Sequence, residues 1–221
     1  MKFEEITARY KKDGFKRVSW DEYEKVLQTL LKKIQDYVKK NNLKIDIVVP
    51  ILRGASFSGA YLAYKLKLIR IVPVQYKYFF DENKKIELRR LLGLPADISL
   101  SEKPTILVVE NNHCFGLTAE NATKDIRERF PNATILYAAD WMDYSFQKNK
   151  YADVIFYGKL NNDTKVLTEE EAIEKGFEIP GTLFPWENEK EEWSTVEMQQ
   201  FEYQDALTAK EASVASDEMK E

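Results

Sequence analysis

The sequence predicts an α/β protein: a mainly parallel sheet flanked by helices, with a small C-terminal hood. Three observations carry that expectation. Ile45-Asp46-Ile47-Val48-Val49-Pro50-Ile51 is a β-branched run that leads into the turn Leu52-Arg53-Gly54-Ala55 and then a helical stretch. Thr105-Ile106-Leu107-Val108-Val109 does the same through a loop around Gly116. Strand, tight turn and helix make half of a βαβ unit, and strands that are apolar throughout are those covered on both faces. Thirdly, Tyr23, Val26, Leu27, Leu30, Leu31, Ile34 and Val38 recur at helical spacing behind the capping box Ser19-Trp20-Asp21-Glu22.

In chain order, that helix precedes the first strand and turn, and residues 56–66 form a second helix whose small residues suit close packing on a sheet. Residues 68–74 read as a strand that continues through Gln75-Tyr76-Lys77-Tyr78. The polar stretch 80–103 contains Lys84, Lys85, Arg89 and Arg90, and so long a loop in a compact domain is expected to be a lid or an excursion. After the second turn, Thr118 is placed to cap a helix over 119–130. Residues 134–139 and Val154-Ile155-Phe156-Tyr157 are strands, and Thr168-Glu169-Glu170-Glu171 caps a short helix closed by Gly176. The main domain is expected over 1–187. Residues 188–221 form an acidic extension, with a helix capped by Ser194-Thr195-Val196-Glu197 running toward Ala206 and a disordered end over 212–221.

Composition narrows the function classes. With one cysteine and one histidine in 221 residues there is no internal disulfide and no structural zinc site to expect. No apolar run is long enough to cross a bilayer, and the N-terminus lacks signal-peptide character, so the expectation is a cytoplasmic protein with no membrane partner. The net charge of -4 hides an asymmetry: residues 187–221 hold eleven acidic and three basic residues, which leaves 26 and 30 for the body. A body near +4 and a tail near -8 suit a small polyanion and a protein-docking tail, not a nucleic acid.

Side chains at the C-terminal end of a parallel strand face the crevice where open α/β sheets bind ligands. Glu110 and Asn111 stand there, followed by His113-Cys114-Phe115-Gly116-Leu117-Thr118. A glycine in such a loop lets backbone amides approach a phosphate, and a helix start attracts the anion. Arg53 and Gly54 end the other strand in a similar way, offering an amide cradle and a positive charge.

These motifs together resemble the type I phosphoribosyltransferases. In that family a strand ends in two acidic residues and a loop reading roughly Asp-Thr-Gly-x-Thr follows; here Glu110-Asn111, Cys114 and Phe115 occupy the altered positions, and Gly116 and Thr118 are kept. Val49 to Ala55 is similar to the family's pyrophosphate turn. Phe184-Pro185-Trp186-Glu187 closely resembles the C-terminal sequence of many bacterial and archaeal xanthine- and hypoxanthine-guanine-type members. The agreement runs in the family's order from Val18 to Glu187.

The resemblance implies phosphoribosyl pyrophosphate (PRPP), a nucleotide or a nucleobase as ligand, Mg2+ as cofactor, and a homodimer. It implies that Arg53, Gly54 and Ala55 hold pyrophosphate. Glu110 and Asn111 would hold the ribose, with Glu110 also at the metal, and Phe115, Gly116, Leu117 and Thr118 would wrap the 5′-phosphate. Tyr76, Lys77 and Tyr78 would belong to a closing lid, and Leu183 would lie beside the base. Cys114 stands at the proton-handling aspartate, where a protonated thiol cannot copy a carboxylate and reads rather as a small buried hydrophobe; His113 next to it is a candidate substitute base or a loop histidine fitted to its surroundings.

Four departures bear on activity. Asn111 removes one carboxylate and so weakens cation attraction. Gly181 stands where the family stacks an aromatic on the base, no lysine occurs in Ala138-Ala139-Asp140, and 159–181 is an insertion. Two readings follow: a transferase moving phosphoribose to a nitrogenous base, or a nucleotide-sensing or scaffold pseudo-enzyme that docks partners through its acidic tail.

Overall fold

A computed structural model describes residues 3–80, 86–148, 151–190 and 193. The helix expected from Ser194 toward Ala206 and the segment 212–221 lie outside the described residues, as do Lys84 and Lys85. The elements run α1 (Phe3–Asp13), β1 (Phe15–Arg17), α2 (Trp20–Lys40), β2 (Ile47–Leu52), α3 (Ser56–Lys65), β3 (Val74–Phe80), β4 (Ile86–Leu92), β5 (Thr105–His113), α4 (Leu117–Arg129), β6 (Thr134–Asp143), a 3-10 turn (Tyr144–Lys148), β7 (Val154–Asn161), α5 (Glu169–Glu174) and β8 (Gly181–Leu183).

Six strands form the main sheet in the order β4-β3-β2-β5-β6-β7. All neighbours are parallel except β4, which returns antiparallel along β3. Because successive strand residues point to opposite faces, each apolar run feeds two cores. Ile47, Val49, Ile51, Ile106, Val108, Ile135 and Tyr137 pack against Ala119, Ala122 and Ile126 of α4. Val48, Leu107, Val109, Leu136 and Ala138 pack on the opposite face against Leu30 and Ile34 of α2 and Leu62 and Ala63 of α3.

The first expected helix is α2, and Ser19 caps it by accepting from the Glu22 N–H at 3.1 Å. Only half of the capping box forms, because the Glu22 carboxylate is drawn 3.1 Å from Lys159 of β7. The box at Thr168 and Glu171 closes in both directions on α5.

Several expectations need correction. The strand expected over 68–74 is a single bridge at Ile71, and β3 begins at Val74. Residues 86–92, read as part of a lid loop, form β4, so Tyr76, Lys77 and Tyr78 belong to a hairpin. Thr118 does not cap α4; the cap is Gly116 at φ 82°, a left-handed conformation that glycine adopts without strain.

A second, two-stranded sheet forms the hood, where β1 runs parallel to β8 with Phe15 beside Gly181 and Arg17 beside Leu183. Beneath it, Val18, Tyr23, Val26, Leu27, Trp141 and Phe184 make a third core. The Phe-Pro-Trp-Glu segment is a fastener for this core. Phe184 is buried, the Phe184 N–H donates to its own segment's Glu187 carboxylate at 2.8 Å, and Trp186 packs among Trp20, Tyr23 and Phe57.

The strand ends that reach this hood lose their regular alternation together. Glu110, Ala139 and Tyr157 stand in register across β5, β6 and β7, and so do Asn112, Trp141 and Lys159. Between the two rows the facing slips by one residue. Asp140 and Trp141 both meet Tyr23 of α2, and a Cβ on Gly158 would meet Val26 while Lys159 reaches Glu22. His113, Met142 and Leu160 then return to the α4 face. The slip therefore delivers Asn111, Asn112 and Asp140 to the crevice side as polar groups at the ends of apolar strands.

Candidate functional site

The site is built where β2 ends between the start of β3 and the last residues of β5. Leu52 pairs with Gln75 and Pro50 with Val109, so the turn after β2 sits between the first residues of β3 and the tip of β5. The Leu52–Arg53 peptide bond is cis. Ser56 closes the turn by donating through Oγ to the Arg53 carbonyl at 2.6 Å. A Cβ on Gly54 would stand 2.9 Å from Asn111 Cβ and 3.4 Å from Asn111 Oδ1, so only glycine lets this turn lie against the end of β5. The two glycine-containing motifs of the sequence are therefore in contact.

Charge is concentrated at the same point. Arg53 is exposed, and burial first and the Arg53 charge second hold the Lys77 ammonium below its usual range. Among the described residues no carboxylate pairs with either cation. Two unpaired cations at a glycine turn are what a bound polyanion would relieve.

Glu110 and Asn111 leave the strand in opposite directions. Glu110 points to the α4 side, where its carboxylate accepts from the buried Tyr137 hydroxyl and lies 3.5 Å from His113 Nδ1. Tyr151 completes this group, with its hydroxyl 3.1 Å from the His113 ring nitrogens. Burial chiefly, and Glu110 next, push the Tyr137 and Tyr151 hydroxyls well above their ordinary range, so both stay neutral. His113 is fully buried and serves this cluster, which removes it as a substitute base for a ligand.

Asn111 turns toward α2 and donates through Nδ2 to Asp140 Oδ2 at 3.2 Å. The same oxygen accepts the Tyr23 hydroxyl at 2.7 Å. Burial drives the Asp140 carboxyl up to about 7, against the opposing pull of Tyr23, Asn111 and Ser58. Asn112 faces a second buried cluster under the hood: it donates to Asp163 at 3.0 Å, and Thr182 of β8 donates to the same carboxylate at 3.2 Å. Tyr10 of α1 bonds the Asp163 carbonyl, and Lys165 lies 3.4 Å from Asp13. This cluster ties α1, the segment after β7 that carries Asp163 and Lys165, and β8 to the tip of β5. Burial again raises the Asp163 carboxyl, to about 6.

A pH dependence of stability follows from the two aspartates. Unfolded aspartates titrate near about 3.9, so between roughly pH 4 and 7 the folded chain holds protons that the unfolded chain has released. Stability contributed by these groups is full below the unfolded value and is lost as pH rises toward about 7 for Asp140 and about 6 for Asp163. Urea unfolding at pH 5 and at pH 7.5 should show a fall in the wild-type chain that Asp140→Asn and Asp163→Asn reduce. An identical pH trend in the variants would contradict the assignment.

The remaining expected residues form the loop into α4. Cys114 is half-buried, with its carbonyl accepting from Ser145 Oγ at 3.3 Å. Phe115 and Leu117 are exposed, and Gly116 and Thr118 are half-buried. Tyr76 is fixed to α4, donating to Asp125 at 2.6 Å where Arg90 binds the same oxygen at 2.9 Å, so this part of the hairpin is anchored. The side chain of Tyr78 lies outside the described residues. Leu183 is buried and its carbonyl accepts from the Val18 N–H at 2.8 Å. Gly181 cannot be replaced by a stacking aromatic, because its Cβ position lies 2.3 Å from the Tyr10 ring.

Sequence reasoning missed Tyr23, Asp140 and Asp163. Asp140 had a signal, as the one charged residue closing the apolar run 134–139. Asp163 had none, because its partners are set by the hood.

No family model matches the sequence, and no curated protein matches it. Solved structures do. A purine phosphoribosyltransferase from Pyrococcus horikoshii Ot3 superposes with a TM-score of 0.55 at 15% identity, over 78% of this chain and 93% of that one. A hypothetical protein from Neisseria gonorrhoeae with bound ppGpp gives 0.59 at 17%, over 82% and 96%. A xanthine-guanine-hypoxanthine phosphoribosyltransferase from Helicobacter pylori gives 0.50 at 15%, over 81% and 97%. The chain has the type I phosphoribosyltransferase fold. Within the phosphoribosyltransferase fold, the turn at Arg53 and the tip of β5 lie at the carboxyl ends of the parallel strands, where such sheets place ligands. Among the described residues no group of three or more His, Cys, Asp or Glu side chains could hold a metal ion alone. Glu110, already engaged by Tyr137, does not make a protein-held magnesium site. The residues fit only an ion that arrives on a diphosphate, since Mg2+ uses one or two carboxylates beside substrate phosphates. No helix among the described residues is long and apolar enough to cross a membrane.

Proposed function

We propose that this chain binds a phosphorylated ribose, PRPP or a nucleoside monophosphate, and that transfer of phosphoribose to a nitrogenous base is the reaction the site would run. The observation that carries this reading is the contact between Gly54 and Asn111 beside Arg53 and Lys77, which no carboxylate among the described residues pairs. Arg53, Lys77 and the Gly54 amide hold the diphosphate, since the Ala55 N–H is donated to the Ile51 carbonyl at 3.1 Å. Asn111 and the outer oxygen of Glu110 accept the ribose hydroxyls, and the amides of 116–118 take the 5′-phosphate at the start of α4. Magnesium carried by the diphosphate would neutralise charge as pyrophosphate leaves.

A second reading, nucleotide sensing without turnover, is favoured by a specific set of contacts. Glu110 is engaged by Tyr137, no carboxylate stands at Cys114, and Gly181 is covered by Tyr10 and Phe15. The Neisseria gonorrhoeae structure carries bound ppGpp, which makes guanosine nucleotides the first ligands to test.

Calorimetry of the full chain with PRPP, GMP and ppGpp, with and without magnesium, tests binding; pyrophosphate release over a panel of bases tests transfer. Saturable binding with release supports the transferase. Binding with no release on any base supports the sensor, and no binding overturns both. Gly54→Ala forces the turn away from Asn111 and should weaken binding by about tenfold or more, as small misplacements in such sites do. An alanine variant that binds as tightly as wild type would contradict the placement.

A further inference from the structure

Asp140 is fully buried, and its carboxylate meets Asn111, the member of the Glu110-Asn111 pair that lacks a charge. Its Oδ2 accepts from Tyr23 on α2 and from Asn111 Nδ2 on β5. Tyr23 is held from its other side by stacking on Trp141, so the oxygen has little freedom. What faces Asn111 is thus an acceptor. A carboxamide meeting an acceptor must turn its NH2 toward it and its oxygen away.

The oxygen is the end that matters for a ligand. Asn111 Oδ1 lies toward the Gly54 turn, 3.4 Å from the position a Cβ would take there. It accepts no hydrogen bond from a described residue. Among the described residues the buried side-chain atoms without partners are Ser58 Oγ, Asp140 Oδ1 and Asn161 Oδ1, so Asn111 Oδ1 is not sealed off. A free amide could turn either end to the crevice. This one is turned by its neighbour.

We propose that Asp140 is a positioning residue that fixes the Asn111 carboxamide with its oxygen toward the ligand, so that a neutral residue offers a ribose hydroxyl an acceptor. The proposal rests on the phosphorylated-ribose reading of the site. It assigns Asp140 and Tyr23 a task in discriminating sugars: a ligand with ribose hydroxyls gains a hydrogen bond here, and a ligand without them leaves Asn111 Oδ1 unmatched. A hydrogen bond of this kind corresponds to about tenfold in affinity.

The test compares GMP with 2′,3′-dideoxy-GMP by calorimetry on the wild-type chain, on Asp140→Asn and on the exchanged pair Asn111→Asp with Asp140→Asn. Wild type is expected to favour GMP by about tenfold. Asp140→Asn, which lets the Asn111 amide take either orientation, should lose most of that preference while binding dideoxy-GMP as before. The exchanged pair restores the bond with donor and acceptor reversed, and its preference should return. A preference that survives Asp140→Asn, or that the exchanged pair fails to restore in a folded protein, overturns the proposal. Equal binding of the two nucleotides by wild type overturns it while leaving the site reading intact; no binding of either removes the site reading as well. The Asn111 side-chain amide in an NMR spectrum gives a ligand-free readout: it should be protected from exchange in wild type and unprotected in Asp140→Asn. Equal protection in both overturns the proposal.

Discussion

Asn111→Asp is expected to destabilise the chain by about 3 kcal/mol at pH 8, the order of cost when a buried charge is left uncompensated. The substitution restores the second acid of the family's pair, but the neighbour it would meet is itself an acid. Asn111 Nδ2 stands 3.2 Å from Asp140 Oδ2, and both residues are buried, at 5% and 0% exposure. An aspartate would replace a donor with a like charge. One of the two carboxyls would then have to keep a proton, as in other close carboxylate pairs. The penalty should therefore shrink as pH falls to 5, and adding Asp140→Asn should remove most of it by supplying a donor again. Urea denaturation of the three proteins at both pH values measures this. A single variant as stable as wild type at pH 8 would show that the two side chains do not meet.

Gly158→Ala is expected to cost about 3 kcal/mol, at the upper end of the overpacking range. The added Cβ would lie 2.4 Å from Val26 Cγ1, 2.8 Å from the Asp140 carbonyl oxygen and 2.9 Å from the Val26 carbonyl oxygen. Two of those three atoms are backbone, one in α2 and one in β6, so no rotamer change relieves the crowding. The helix or the strand must move, and the strand carries Asp140. Alongside the loss of stability, the Tyr23–Asp140 contact should loosen. Gly176→Ala is the control for thermal denaturation, because its Cβ position meets nothing within 4 Å although φ is +73°. Its cost comes from backbone conformation alone. A Gly158→Ala protein with wild-type stability would contradict the close approach of α2 to β7.

The sequence made the sheet legible because its signals are local and redundant. The stretches Ile47 to Ile51 and Ile106 to Val109 bury every residue on one of two faces, and no polar position interrupts them. The phosphate loops were legible for a related reason: a strand end, a glycine and a helix start are covalent neighbours. What lay beyond sequence reasoning depends on strands meeting far from one another in the chain. β4 was read as loop, although Ile86-Glu87-Leu88-Arg89 alternates, because the charged residues around it outweighed that signal. The one-residue slip across β5, β6 and β7 has no counterpart in any single segment, and it is what turns Asn111 to Asp140 and Asn112 to Asp163. His113 looked like a base from its place in a loop. The strand extends through it and buries it.

The fold places the Arg53 turn, the tip of β5 and the start of α4 at one end of the sheet, where one phosphorylated ribose is expected to span them. The most direct measurement is amide chemical-shift mapping of the 15N-labelled full chain titrated with GMP, with PRPP as the second probe. Saturable shifts are expected at Gly54, Ala55, Asn111 and Gly116 to Thr118 with a common binding constant, and none of that size in α5. Shifts absent from the Gly54 and Gly116 amides, or confined to the hood, would contradict it.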